Sequence, residues 1–225
     1  MSALRRTLVA FAALAIAFMV FAAVVAAGSL HSLDVDVSHA MTEAWRPQLQ
    51  LPFQVLALFG GLEMSTLVAV VLGIWLWRHH FGVDALAVLA LPVAVGLELL
   101  YKRIVDHPAP PASIQHADGW SITDLLWGSV KSVASGSFPS GHMVRTVIVY
   151  GLLAFVVARL TERRSLRWAA VAGAIVLVAA ESFDRVYLQA HWESDVLGGI
   201  LLGGLGLAGA IIWLDRPWAS VPWSD

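Results

Sequence analysis

Six stretches of this chain, at 7–27, 53–77, 83–101, 143–160, 167–183 and 194–214, are almost wholly apolar. At about 1.5 Å of rise per residue, each is long enough, or nearly so, to cross roughly 30 Å of hydrocarbon as a helix. The composition agrees, since 59% of the 225 residues are hydrophobic and 13% are charged, whereas soluble domains carry roughly 45–50% and about 25%. The chain therefore reads as an all-α, polytopic membrane bundle of six helices in a single domain, 1–225. Gly60-Gly61 and Glu63 interrupt the second run and predict a bend there. The Gly198-Gly199 and Gly203-Gly204 pairs give the small-residue spacing that lets helices pack closely.

Basic residues orient the bundle. Arg5, Arg6, Arg78, Arg159, Arg163, Arg164, Arg167 and Arg216 fall on one side of six alternating spans, which makes that side cytoplasmic and places both termini there. The first run ends in a sequence that a signal peptidase would accept, but its apolar stretch exceeds the usual length, and it reads as a retained helix. Most of the ten tryptophans sit at run ends, as an interfacial belt does. Trp120, Leu125, Leu126 and Trp127 suggest a short interfacial segment within the long loop. A net charge of −2 gives no sign of a nucleic-acid partner, and without cysteine there is no disulfide or thiol chemistry.

The loops at 28–52, 102–142 and 184–193 then lie together on the outer face, and they hold every concentrated polar cluster. "PSGH", 139–142, reads as the start of a helix capped by Ser140. The backbone N–H groups of Gly141 and His142 there form an anion site, flanked by a hydroxyl and an imidazole. Alone this is only a capped helix. Lys102 and Arg185, which follow the third and fifth runs, add two cations. In "DRVYLQAHWESD", 184–195, His191 and Asp195 share a face if the segment is helical, so the carboxylate can fix the imidazole tautomer. Cations and helix N–H groups to clamp a tetrahedral anion, with two histidines to attack it and protonate its leaving group, are what phosphate-ester hydrolysis requires.

Lys102 ahead of His107-Pro108, then Pro139-Ser140-Gly141-His142, then Arg185 with His191 and Asp195, resembles the three-part signature of the type 2 phosphatidic acid phosphatase (PAP2) superfamily. The resemblance implies a helical bundle in a cell membrane, that of a bacterial inner membrane, with the site on the outer face. It also implies a lipid phosphate substrate, a phosphohistidine intermediate and neither metal nor other cofactor. His191 would be the nucleophile, Asp195 its orienter and His142 the leaving-group acid. Lys102, Ser140, Gly141 and Arg185 would clamp the phosphate, with His107 in the place of the arginine of the first motif. Asp184 stands where the family has serine. Arg103 and Arg145 are the cations that could make good the missing arginine.

Other readings compete. A zinc site of His142, His191 and Asp195 has suitable ligands, but Lys102 and Arg185 oppose a dication. A serine hydrolase using Ser140 lacks the G-x-S-x-G elbow. A non-hydrolytic lipid-phosphate binding protein or a phosphotransferase would share the same clamp. Glu98 and Glu181 read as tied to a lysine or to another helix, and His79 and His80 as solvated. His31, His39 and His116 carry no motif.

Overall fold

The computed structural model describes residues 3–116 and 136–216, and every regular element among them is a helix. In chain order these are α1 (Ala3–Ala26), α2 (His31–Ala44), α3 (Gln50–Gly60), α4 (Leu62–Leu76), α5 (Ala90–Ile104), α6 (Gly141–Leu160), α7 (Arg164–Tyr187) and α8 (Glu193–Leu214). A 3-10 turn, Pro47–Leu49, precedes α3, and π and 3-10 segments at Trp77–Phe81 and Gly82–Leu89 join α4 to α5. Leu4–Ala26, Gly82–Ile104, Gly141–Leu160, Arg164–Tyr187 and Glu193–Leu214 are each long and apolar enough to cross a membrane. Pro47–Gly60 with Leu62–His79, bent by 40°, makes a sixth candidate if the bent pair is one span. The six expected runs coincide with these five helices and the bent pair. The helix of the fifth run, α7, proves longer than that apolar run because Asp184 and Arg185 continue it beyond 183 and are buried in it.

The 28–52 segment, read from the sequence as a loop, is largely helical: α2 lies over the end of the bundle that carries the polar loops. Its Ser38 donates to Gln189 at 2.7 Å, and Gln189 donates back to the Ser38 carbonyl at 2.7 Å. Gln189 has a φ of 54°, a left-handed conformation uncommon for a side-chain-bearing residue, and these bonds hold it there. The interfacial segment expected around Trp120 to Trp127 lies outside the described residues.

The predicted bend follows from backbone chemistry. At Gly60-Gly61 the helical ladder breaks, and hydrocarbon cannot solvate the freed groups. Neighbouring helices supply the partners. Gly60 N–H donates to Glu181 Oε1 at 2.9 Å, the Gly60 carbonyl accepts from Arg145 Nε at 3.0 Å, and the Phe59 carbonyl accepts from the Tyr150 hydroxyl at 3.0 Å. A Cβ on Gly60 would stand 2.7 Å from Thr146 Oγ1, so glycine is required here by contact. Glu181 is thus tied to another helix, as its position suggested.

Helix α6 is the hub: Met143, Val144, Ile148, Leu152 and Val156 along it are all buried. It packs on α8 through the glycine pairs. A Cβ at Gly199 would lie 2.7 Å from Met143 Cβ, and one at Gly203 would lie 2.8 Å from Val147 Cβ. Without a hydrophobic force between helices in lipid, such close backbone approach is what holds them together. Gly204 faces α1 instead, where a Cβ would meet Leu14 at an ordinary 3.6 Å. Gly203→Ala should therefore cost about 1–3 kcal/mol, seen as a lower thermal midpoint in detergent, while Gly204→Ala leaves the midpoint nearly unchanged.

Candidate active site

The polar loops converge at one end of the bundle, where α5 ends and α6 and α8 begin. Helix α6 starts at Gly141 with Ser140 at its N-cap, as the sequence suggests, but the Ser140 hydroxyl makes no capping bond. That oxygen is buried and has no hydrogen-bond partner among the described residues. It is therefore free to donate to an anion, beside the first N–H groups of α6, which have no intrahelical acceptor. The Ser140 N–H donates to the Asp195 carbonyl at 2.9 Å, joining the starts of α6 and α8.

His191 and Asp195 pair as expected, with Nδ1 to Oδ2 at 3.2 Å, but not as two positions of one helix. Helix α8 begins at Glu193, and His191 sits in the turn before it. Asp195, in the first turn, reaches back to accept the Trp192 N–H at 3.0 Å, the reach-back half of a capping box. Its Oδ2 also accepts from the Ser137 hydroxyl, which lies 3.2 Å from His191 Nδ1. The carboxylate thus accepts a hydrogen bond from Nδ1–H, which keeps the proton on Nδ1 and leaves Nε2 as the lone-pair nitrogen. Burial pushes the His191 imidazole below its ordinary 6.5. Lys102 and Arg185 act the same way, and the Asp195 hydrogen bond and charge oppose. The shift favours the uncharged ring at neutral pH.

The resemblance sets His107 in the phosphate clamp; its Nε2 lies at the back of the histidine–aspartate pair, 3.2 Å from Ser194 Oγ and 3.5 Å from Asp195 Oδ1. The reason is local. After α5 ends, His107 N–H bonds to the Val105 carbonyl, and the His107 carbonyl accepts from Ser137 N–H at 2.8 Å. The Pro108 carbonyl accepts from Trp192 Nε1 at 2.7 Å, turning the segment toward the start of α8. Ser194 in turn donates from its N–H and hydroxyl to Asp34 of α2, at 2.9 and 2.7 Å. Asp34, Ser137 and Ser194 were not read from the sequence. Of the three, only Ser137, two residues before Pro139, lies close enough to a motif to have drawn attention.

The cations arrive already paired. Lys102 Nζ is 3.1 Å from Glu98 Oε1, and Arg145 Nη1 is 3.6 Å from Glu98 Oε2. The Arg185 guanidinium is hydrogen-bonded to Asp184, the residue in place of the family serine. Glu98 is therefore tied to a lysine and to another helix, and its carboxylate lies against Gly141, where a Cβ would strike it. Arg145 also reaches His142 Nδ1 at 3.4 Å. Lys102, Arg145, Arg185 and His191 all lie within electrostatic reach of His142. Arg103 is exposed, so Arg145 is the extra cation that joins the group. His79 is exposed, as expected of a solvated residue, and His116 stacks on Trp45 at 3.7 Å.

A helical membrane bundle with two histidines, a carboxylate and a ring of cations at one end defines a class, and comparison with known proteins places the chain within it. The PAP2 superfamily model matches residues 81–219, and the chain belongs to that family. It is 33% identical over 159 residues to the putative undecaprenyl-diphosphatase YbjG of Escherichia coli (strain K12), covering 70% of this chain and 72% of that one. It is 24% identical over 190 residues to phosphatidylglycerophosphatase B of Bacillus subtilis (strain 168), covering 83% and 85%. The crystal structure of a transmembrane PAP2 type phosphatidylglycerolphosphate phosphatase from Bacillus subtilis shares the fold, with a TM-score of 0.75 at 22% identity. It covers 92% of this chain and 98% of that one.

The depressed His191 value has a consequence for stability. The unfolded chain takes up this proton more readily than the folded one, so the contribution is intact above 6.5 and is lost as pH falls below 6.5 through the folded value. The thermal midpoint of the parent should therefore drop on acidification by more than that of His191→Gln, measured side by side in one detergent.

Proposed function

We propose that this chain, a PAP2 phosphatase acting on lipids, hydrolyses a lipid phosphate or diphosphate through a phosphohistidine intermediate at the outer face of a bacterial cell membrane. The observation that carries the reading is the His191–Asp195 pair at 3.2 Å, tied by the Ser140–Asp195 backbone bond to the anion-binding start of α6. A protein that only bound lipid phosphate would need the cations but not an oriented, uncharged imidazole beside them. His191 Nε2 attacks phosphorus, Asp195 holds the Nδ1 proton, and His142 faces the leaving oxygen. Lys102, Ser140, Gly141 and Arg185 clamp the phosphoryl oxygens, with Arg145 against His142 one turn below and His107 supporting Asp195 from behind.

The chain acts as one domain, because its motifs are spread over α5, α6, α7 and α8 and none closes a site alone. Basic residues at the opposite end of the bundle favour an outer site and cytoplasmic termini. The site sits at headgroup level, so an acyl or prenyl tail can stay in the bilayer while its phosphate enters. Polyprenyl diphosphate, phosphatidic acid and phosphatidylglycerol phosphate all meet that description, and the two curated relatives are named for substrates of both kinds.

Release of inorganic phosphate from a panel of these lipids tests the reading. A chain that binds them without release would be the non-hydrolytic alternative, and transfer to an alcohol in place of water would mark a phosphotransferase. His191→Ala should abolish turnover and the trapping of labelled phosphate on the protein. Asp195→Asn should leave a residual rate, roughly 10²–10⁴-fold down, because the imidazole remains but is misoriented. Equal, small losses in both would remove His191 as nucleophile. Lys102, Arg185 and helix N–H groups supply the positive charge that a divalent ion supplies elsewhere, so excess EDTA should leave the rate unchanged. Activity lost to chelation and restored by a divalent ion would refute that.

A further inference from the structure

Arg145 is one helical turn below His142 and is fixed at three points. Its Nε donates to the Gly60 carbonyl at 3.0 Å, its Nη1 lies 3.6 Å from Glu98 Oε2, and its Nη2 lies 3.4 Å from His142 Nδ1. A guanidinium has donors and no acceptor, and it does not lose its proton in proteins. His142 Nδ1 must therefore be the acceptor, which places the ring proton on Nε2. A second proton on the ring would set N–H against N–H. The other titratable groups facing His142 are the cations Lys102 from α5 and Arg185 from α7 and the His191 ring from the turn before α8.

We propose that Arg145 is a positioning residue that keeps His142 as a neutral imidazole protonated at Nε2, and that this makes the site selective for lipid diphosphates over lipid monophosphates. The proposal rests on the phosphatase reading above and names its substrate class.

The selectivity follows from the leaving group. With a diphosphate, the His191 Nε2 lone pair forms a bond to the terminal phosphorus and the bond from that phosphorus to the bridging oxygen breaks. The electron pair stays on the departing oxygen, now one of the oxygens of a lipid monophosphate. A phosphate accepts that charge without a proton, so a hydrogen bond from neutral His142 Nε2–H suffices. Water then attacks the phosphohistidine and the N–P bond breaks. The electron pair returns to Nε2, and the oxygen and both protons of the water leave with inorganic phosphate as its monoanion. With a monophosphate the departing group is an alkoxide, which must be protonated as the bond breaks. Neutral His142 could supply that proton only by becoming an imidazolate.

The test uses the full chain in detergent with dodecyl diphosphate and dodecyl phosphate, which share one tail, and a series of aryl phosphates whose phenols differ in acidity. The parent should hydrolyse the diphosphate at least about 100-fold faster in kcat/KM, the scale of a missing general acid, and its aryl phosphate rates should fall as the phenol becomes less acidic. Arg145→Met frees Nδ1, so the diphosphate preference should shrink tenfold or more, mainly in kcat, and the dependence on phenol acidity should flatten. Arg145→Lys, which retains a cationic donor, should restore part of the preference. Equal parent rates on the two dodecyl substrates, or aryl rates independent of phenol acidity, would overturn the proposal while leaving the phosphatase reading intact. That parent series decides even if Arg145→Met does not fold. Absence of phosphate release from every substrate would overturn both.

Discussion

The Asp195 carboxylate is the point on which this architecture turns. It is fully buried, yet it accepts from Ser137, His191 and the Trp192 N–H, with His107 Nε2 at 3.5 Å, while its backbone carbonyl takes the Ser140 N–H. One residue thereby joins the start of α8, the start of α6, the segment after α5 and the imidazole. A buried carboxylate is costly unless hydrogen bonds and charge meet it. Here the groups that meet it are the ones a phosphoryl-transfer site needs held in place, so the same bonds stabilise the ion and define the geometry.

A second polar layer lies deeper. The broken second span leaves backbone groups bare at Phe59 and Gly60, and Tyr150, Arg145 and Glu181 satisfy them. Arg145 belongs to both layers, since the guanidinium that caps the break also touches His142 and Glu98. The bend and the site therefore share a structural member: straightening α3 onto α4 would withdraw the Gly60 carbonyl from Arg145 and loosen the ring it holds. Irregular backbone at membrane depth is tolerated where protein surrounds it, and here side chains of two neighbouring helices do so.

What the sequence made legible was periodic or local. Run length revealed six spans, Gly60-Gly61 marked the bend, and the PSGH tetrapeptide with the His191–Asp195 spacing marked the site. What it hid was non-local. Asp34 meets Ser194 across 160 positions and Ser137 meets Asp195 across 58, and a lone acid or serine in a polar loop carries no periodicity to flag it. The surroundings of His107 were hidden for a related reason. The family resemblance sets it beside Lys102, but α5 runs on to Ile104 and the chain then turns toward Ser137 and Trp192. Segment α2 was hidden because its residues are polar enough to read as loop, although its buried Asp34 and Ser38 face the bundle end.

The pairing of each clamp cation with a carboxylate limits what can bind. Lys102 and Arg145 hold Glu98, and Arg185 holds Asp184, so an entering phosphate must share or displace a charge already present. A group with a single negative charge offers the cations no more than the carboxylate it replaces. A group carrying two or three offers a surplus, which charge-assisted, bidentate contacts can convert into orientation. The acids also preset the arms, since a guanidinium already gripped by Asp184 loses less rotamer freedom when phosphate arrives. On the proposed reading, Asp184 in the place of the family serine exchanges raw attraction for preorganisation, and that exchange would favour the more highly charged headgroup, as the proposed neutral His142 would.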